Sequence, residues 1–159
     1  MSRKILATLA AAFLTGALAA PVAAQGSSPV ELSGEVKVRK RLVENGAERI
    51  VLADPKVVVP GDTLVFSTAY RNGGTEVVKN FVITNGVPVG VALAPDGEGT
   101  GQVSVDGGKS WGKLAALLVD DGAGGKRPAG PGDVTHLRWV LAEIQPGANG
   151  QVTYQATVR

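Results

Sequence analysis

From residue 31 to the end, runs of β-branched and aromatic residues alternate with polar ones at every second position, and glycine, asparagine, aspartate or proline clusters break them about every ten residues. No stretch there carries the 3.6-residue apolar spacing of an amphipathic helix, and residues 114 to 119 are too short to count as one. A chain so patterned has one economical way to bury its apolar side chains. Strands put alternate residues on opposite faces, so two antiparallel sheets must stack their apolar faces together. The pattern predicts an all-β antiparallel sandwich of seven to nine strands, and the uneven strand lengths argue against an up-and-down barrel.

The strands follow from the turns. Val36, Val38 and Leu42 alternate with Lys37, Arg39 and Arg41, and Asn45-Gly46 is a two-residue hairpin signal because both residues tolerate positive φ. Residues 50 to 52 are the returning strand. The next strand, residues 63 to 71, sets Leu64, Phe66 and Tyr70 on one face and ends at Asn72-Gly73-Gly74. Residues 77 to 84 are apolar on both faces and predict a central strand. Residues 102 to 105 and 113 to 119 flank the turn Asp106-Gly107-Gly108, and residues 120 to 132, with five glycines and two prolines, predict a loop. The last strands set Leu137, Trp139 and Leu141, then Val152 and Tyr154, towards the core.

The first 24 residues stand apart. Arg3 and Lys4 precede an apolar run over residues 5 to 18, and Pro21 precedes Val22-Ala23-Ala24, the order of a secretory signal cut after Ala24. The run is shorter than the roughly 20 residues that span a bilayer, and no later segment is longer, so no transmembrane segment is expected after cleavage. The domain plan is therefore a cleaved leader (1–24), a flexible lead (25–30) and a sandwich (31–159). The expected location is the periplasm, the outer cell surface or the extracellular medium. Of the 16 basic residues two leave with the leader, which balances 14 basic against 14 acidic residues in the mature chain. Such a chain has no global attraction for nucleic acid, whose binding rests on neutralising many phosphates. The absence of cysteine excludes disulfides, thiolate metal sites and lipid attachment at the cut, and points to a bacterial exported protein.

The series Val59-Pro60-Gly61-Asp62, Asn72-Gly73-Gly74, Lys79-Asn80-Phe81-Val82-Ile83-Thr84 and Val87-Pro88-Val89-Gly90, closed by Pro146-Gly147 and Val152-Thr153-Tyr154, resembles the bacterial surface repeat known as domain of unknown function eleven. The resemblance covers residues 37 to 158. It implies a single immunoglobulin-like copy on an exported or surface protein, with no enzyme activity and no cofactor. Asn85 stands where the family carries an acidic residue, so any cation that this carboxylate holds in relatives is not expected here. The resemblance also makes residues 85 to 90 a loop between sheets, although Asn85-Gly86 alone reads as a hairpin.

The candidate chemistry is sparse. Ser104-Val105-Asp106-Gly107-Gly108-Lys109-Ser110-Trp111 resembles the Asp-box hairpin of sialidase propellers, but one copy on so short a chain is a structural hairpin. Trp111 is its one candidate for an exposed stacking surface. Lys37, Arg39, Lys40 and Arg41 form the basic cluster, read as a solvated strand face that discourages edge pairing. His136 is alone, and zinc needs three or four ligands. Asp96, Glu98, Asp120 and Asp121 lie in glycine-rich loops without the spacing of a calcium loop. With one histidine and no Gly-x-Ser-x-Gly elbow, nothing marks a hydrolase. These observations name no catalytic, cofactor-binding or metal residue. They lead to an exported non-catalytic structural or interaction module whose partners, other envelope or surface proteins or itself, are unspecified. The alternative is a carbohydrate-binding module using Trp111 and the glycine-rich loops. Self-assembly is expected to end at the monomer, because Asn45-Gly46 keeps the first strand paired within its own domain.

Overall fold

The computed structural model describes residues 29–95 and 97–159. The leader, its cleavage after Ala24 and the lead up to residue 28 lie outside the described residues. Ten strands follow in order: β1 (Val30–Glu44), β2 (Ala47–Ala53), β3 (Thr63–Asn72), β4 (Val78–Gly86), β5 (Val91–Leu93), β6 (Gln102–Ser104), β7 (Leu118–Asp120), β8 (Lys126–Pro128), β9 (His136–Ile144) and β10 (Asn149–Val158). One sheet runs β2-β1-β3-β10-β5, the other β4-β9-β6, and β7-β8 form a separate ribbon. All the pairings are antiparallel, and the chain is the all-β sandwich that the alternation predicts, with ten strands where seven to nine were expected, because β7 and β8 add a short ribbon in the glycine-rich segment.

Register explains the core. Val38 lies opposite Leu64, Leu64 opposite Ala156 and Ala156 opposite Leu93, one buried row across four strands. The next row places Phe66 beside Tyr154, their rings parallel with centroids 4.6 Å apart. The smaller sheet supplies Ile83 paired with Trp139, and Leu137 paired with Val103, all buried. The core residues named from sequence are all in or against this cluster, with Phe66, Tyr70 and Leu141 half-buried at its margin.

Asn72 locks the two sheets together at one end. It is fully buried, and its Nδ2 donates to the carbonyls of Glu76 (2.8 Å) and Ile144 (2.9 Å), while its Oδ1 accepts from the Gly74 amide (3.0 Å). Its own amide and carbonyl bond Ala148 and Gly147 in the corner between β9 and β10. The Asn-Gly-Gly turn seen in the sequence is therefore a joint between the end of β3, the approach to β4 and the end of β9. Gly74 is required there, because an added Cβ would stand 2.8 Å from that of Pro29.

Several expectations need correction. The strand over residues 77 to 84 is not central: β4 is an edge strand with β9 as its one neighbour, and Val82 and Val140 are exposed side by side on its outer face. The apolar signal was right about the residues, but no third layer covers that face among the described residues. Residues 113 to 119 do not form a partner strand for β6. Gly112 makes a single bridge to Val103, residues 114 to 116 make one 3-10 turn, and β7 pairs with β8 instead. The glycine-rich segment 120 to 132 is likewise more than a loop, since Asp121 accepts the amides of Ala123 and Gly125 and folds the chain back as a ribbon. Residues 87 to 90 do cross between sheets, from β4 to β5, but Asn85 and Gly86, expected in that loop, end β4 and pair with Leu137 and His136.

The hairpin at Asn45-Gly46 is as predicted, with φ of +54° and +77°. What sequence did not indicate is where it points. β3 supports β1 from Val30 to Arg39, while β2 supports it from Val38 to Glu44. Past Arg39 the ribbon has no third strand, so the tip projects beyond the sandwich as an arm.

Candidate interaction surfaces

The Asp-box-like hairpin consumes its own polar groups. The Ser104 hydroxyl donates to Asp106 Oδ1 (2.7 Å) and accepts from the Gly108 amide (2.8 Å). The amides of Lys109 and Ser110 donate to the same oxygen, and the Ser110 hydroxyl donates to Oδ2 (2.6 Å). These donors, the Ser110 hydroxyl first, hold the Asp106 carboxyl far below the usual carboxylate range. Because the folded value is depressed, the stabilisation is present above the ordinary carboxylate range and is lost as pH falls from that range down through the lower folded value. Asp106→Asn is expected to destabilise the protein at neutral pH, with a deficit that shrinks as acid protonates this carboxyl in the unfolded chain while the native carboxylate stays ionised. Urea unfolding at neutral pH and near pH 2 checks this, and an equal deficit at both would contradict it.

Trp111 is half-buried, not a free platform. The Arg138 guanidinium lies 4.6 Å from its ring centroid and donates from Nη2 to Gln102 Oε1 at 2.8 Å. Gly108 closes another side of the indole, with space for a Cβ only at 3.5 Å from Cζ2. His136 is half-buried with Nδ1 3.1 Å from Thr135 Oγ1. Asn85, at the position where the resemblance puts an acid, donates to Thr68 Oγ1 (2.8 Å) and so ties one sheet to the other.

The loop acids are engaged locally. Asp120 pairs with Lys126 (2.6 Å), and Asp121 caps its turn, its carboxyl lowered by the Ala123 and Gly125 amides. Asp133, which sequence reading passed over, takes a two-pronged contact from Arg127 and the Gly130 amide, which push it down to about 2. Asp96 lies outside the described residues, and Glu98 accepts from the Gly101 amide through its backbone. Among the described residues no group of three or more His, Cys, Asp or Glu side chains is placed to hold a metal ion.

The basic cluster is split. Lys37 bridges Asp54 (2.7 Å) and Glu35 (2.9 Å), which raise its ammonium well above the ordinary lysine value, and Arg41 pairs with Glu48 (3.5 Å). Arg39 and Lys40 have no carboxylate in ion-pair range among the described residues. Exposed pairs of this kind add little to stability. Beside them the arm carries four exposed aliphatic side chains: Leu42 (38%), Val43 (65%), Ile50 (55%) and Leu52 (55%). Sequence reasoning identified Leu42 as an inward residue by parity, which fails because the sheet beneath it has already ended. The usable signal was length, since β1 at 15 residues outruns β3 at 10.

Fold and surfaces together describe an antiparallel β-sandwich with a projecting hairpin. Compared with family models, curated proteins and solved structures, the chain matches none of them.

Proposed function

We propose that the chain is an exported, non-catalytic structural or interaction module of the cell envelope or extracellular surface, working through its projecting hairpin. The observation that carries this reading is the arm, because Val43, Ile50 and Leu52, which the register places on one face of the ribbon, are left in water together, with Leu42 exposed on the other face, and such a cluster marks a contact surface. Export is supported by the leader-like order of residues 1 to 24, and surface placement by the resemblance of the turn series to the surface-repeat family. The absence of catalytic work is supported by the carboxylates of Asp106, Asp121 and Asp133, each occupied by hydrogen bonds within its own turn or ribbon. The carbohydrate-binding alternative draws less support, since Arg138 occupies one face of Trp111. A variant with Leu42, Val43, Ile50 and Leu52 changed to serine tests the reading through retention of purified protein on washed envelopes of the producing cells. Retention is expected to weaken at least about tenfold, equivalent to about 1.4 kcal/mol, with the circular dichroism spectrum unchanged. Equal retention of both proteins would overturn it.

A further inference from the structure

We propose that the mouth between β9 and β10 is a docking cleft for an extended acidic peptide, which adds to the sandwich as a strand beside β9. β6 pairs with β9 only from Ser104 opposite His136 to Gln102 opposite Arg138, so residues 139 to 143 have no strand on that side among the described residues. In the other sheet β5 covers β10 from Ala156 to Val158, and Ala94 and Gly97 take the carbonyl and amide of Gln155, which leaves the edge before Gln155 without a strand among the described residues. Two bare strand edges therefore face each other across the sandwich, and a cleft of about 570 Å³ lies between them. Four consecutive residues, Arg138 to Leu141, and two consecutive residues, Gln151 and Val152, line it. Consecutive residues point to opposite faces, so the backbone edge itself bounds the space. Such an edge offers amide and carbonyl groups at a strand's spacing, the basis of strand addition.

The lining selects the charge of the occupant. Trp139, Leu141 and Val152 give it an apolar floor. Lys113 and Arg138 stand at its rim, and no acidic side chain lines it. Lys113 Nζ donates to the carbonyl of Gly101 (3.0 Å), and neither cation has a carboxylate in ion-pair range among the described residues. Arg138 Nε is buried without a hydrogen-bond partner. Two uncompensated cations beside an apolar floor favour an anionic partner with aliphatic side chains. A second copy of this chain is a poor fit, because its arm carries Arg39, Lys40, Arg41 and Arg49 against only Glu44 and Glu48. The bare edge favours a peptide over an acidic sugar, which has no ladder of amides to offer.

The inference rests on the reading of the chain as an interaction module, and its test is separable from that of the arm. The probe is a capped octapeptide of alternating valine and glutamate, followed by calorimetry and by tryptophan fluorescence, since Trp139 lines the cleft and Trp111 lies on Arg138. Saturable binding is expected. It should weaken at least tenfold when lysine replaces glutamate, when one of the two alternate sets of peptide amides is N-methylated, and in Lys113→Met. Equal binding of the lysine peptide, indifference to both N-methylated sets, or no binding of any peptide would overturn the proposal. Binding of oligogalacturonate in place of the peptide would overturn it too and assign the cleft to acidic sugars. Arm-dependent envelope retention that persists beside a blank peptide panel would remove the cleft and leave the module reading intact.

Discussion

Trp139→Ala is expected to lower the stability of the sandwich by about 3 to 5 kcal/mol, the cost of truncating a buried aromatic and leaving a cavity behind. The indole is 5% exposed, pairs across strands with Ile83, and sits 6.5 Å from the Tyr154 ring that stacks on Phe66. Its far side is sealed by Gly101, where even an added Cβ would stand 2.9 Å from Nε1. A glycine backbone has no side chain to move into the space, so the cavity cannot refill from that direction. Urea denaturation measures the loss. A change under about 1 kcal/mol would mean that Trp139 does not hold the sheets together.

Asn72→Leu is the second large effect, expected to cost about 3 kcal/mol or more, although leucine is apolar and close in volume. The substitution leaves the buried Ile144 carbonyl without its partner, at about 1 to 3 kcal/mol, and adds the smaller losses of the part-buried Glu76 carbonyl and Gly74 amide and of the turn they hold. Asn72→Asp is expected to fare no better, because a carboxylate keeps the acceptor for Gly74 but turns negative oxygen towards two carbonyls. Hydrogen exchange at the β9–β10 corner should rise in both variants before global unfolding. A tolerated leucine with unchanged exchange would show that the joint is held by packing alone.

The two substitutions also separate what is local from what is not. Trp139 was legible as a core residue because alternation puts it on the same face as Leu137 and Leu141, and alternation is a property of the chain. Asn72 was legible only as a turn residue. That its amide reaches Ile144, 72 residues later, depends on the corner between β9 and β10 folding back against the end of β3. The acid-sensitive Asp106 falls between these cases, since its ligands are its own neighbours Ser104, Lys109 and Ser110 and the spacing displays them.

By itself the sequence determined the all-β class, the face of most strands, the tight hairpin at Asn45-Gly46 and the hydrogen-bonded turn at Asp106. Each rests on a period of two or on φ preferences that act over a few residues. Tertiary structure alone decided which strands lie at the edges, because edge position depends on which neighbour runs out first. β4 is apolar on both faces yet has one neighbour. Leu42 continues the inward parity of Val38 yet lies in water, because β3 begins at Thr63, opposite Arg39. The cleft arises the same way: β6 and β5 stop short of β9 and β10, and the strand ends that bound it lie far apart in the chain. Side-chain alternation sets which way a residue points, but only the lengths of the neighbouring strands set whether anything is there to meet it.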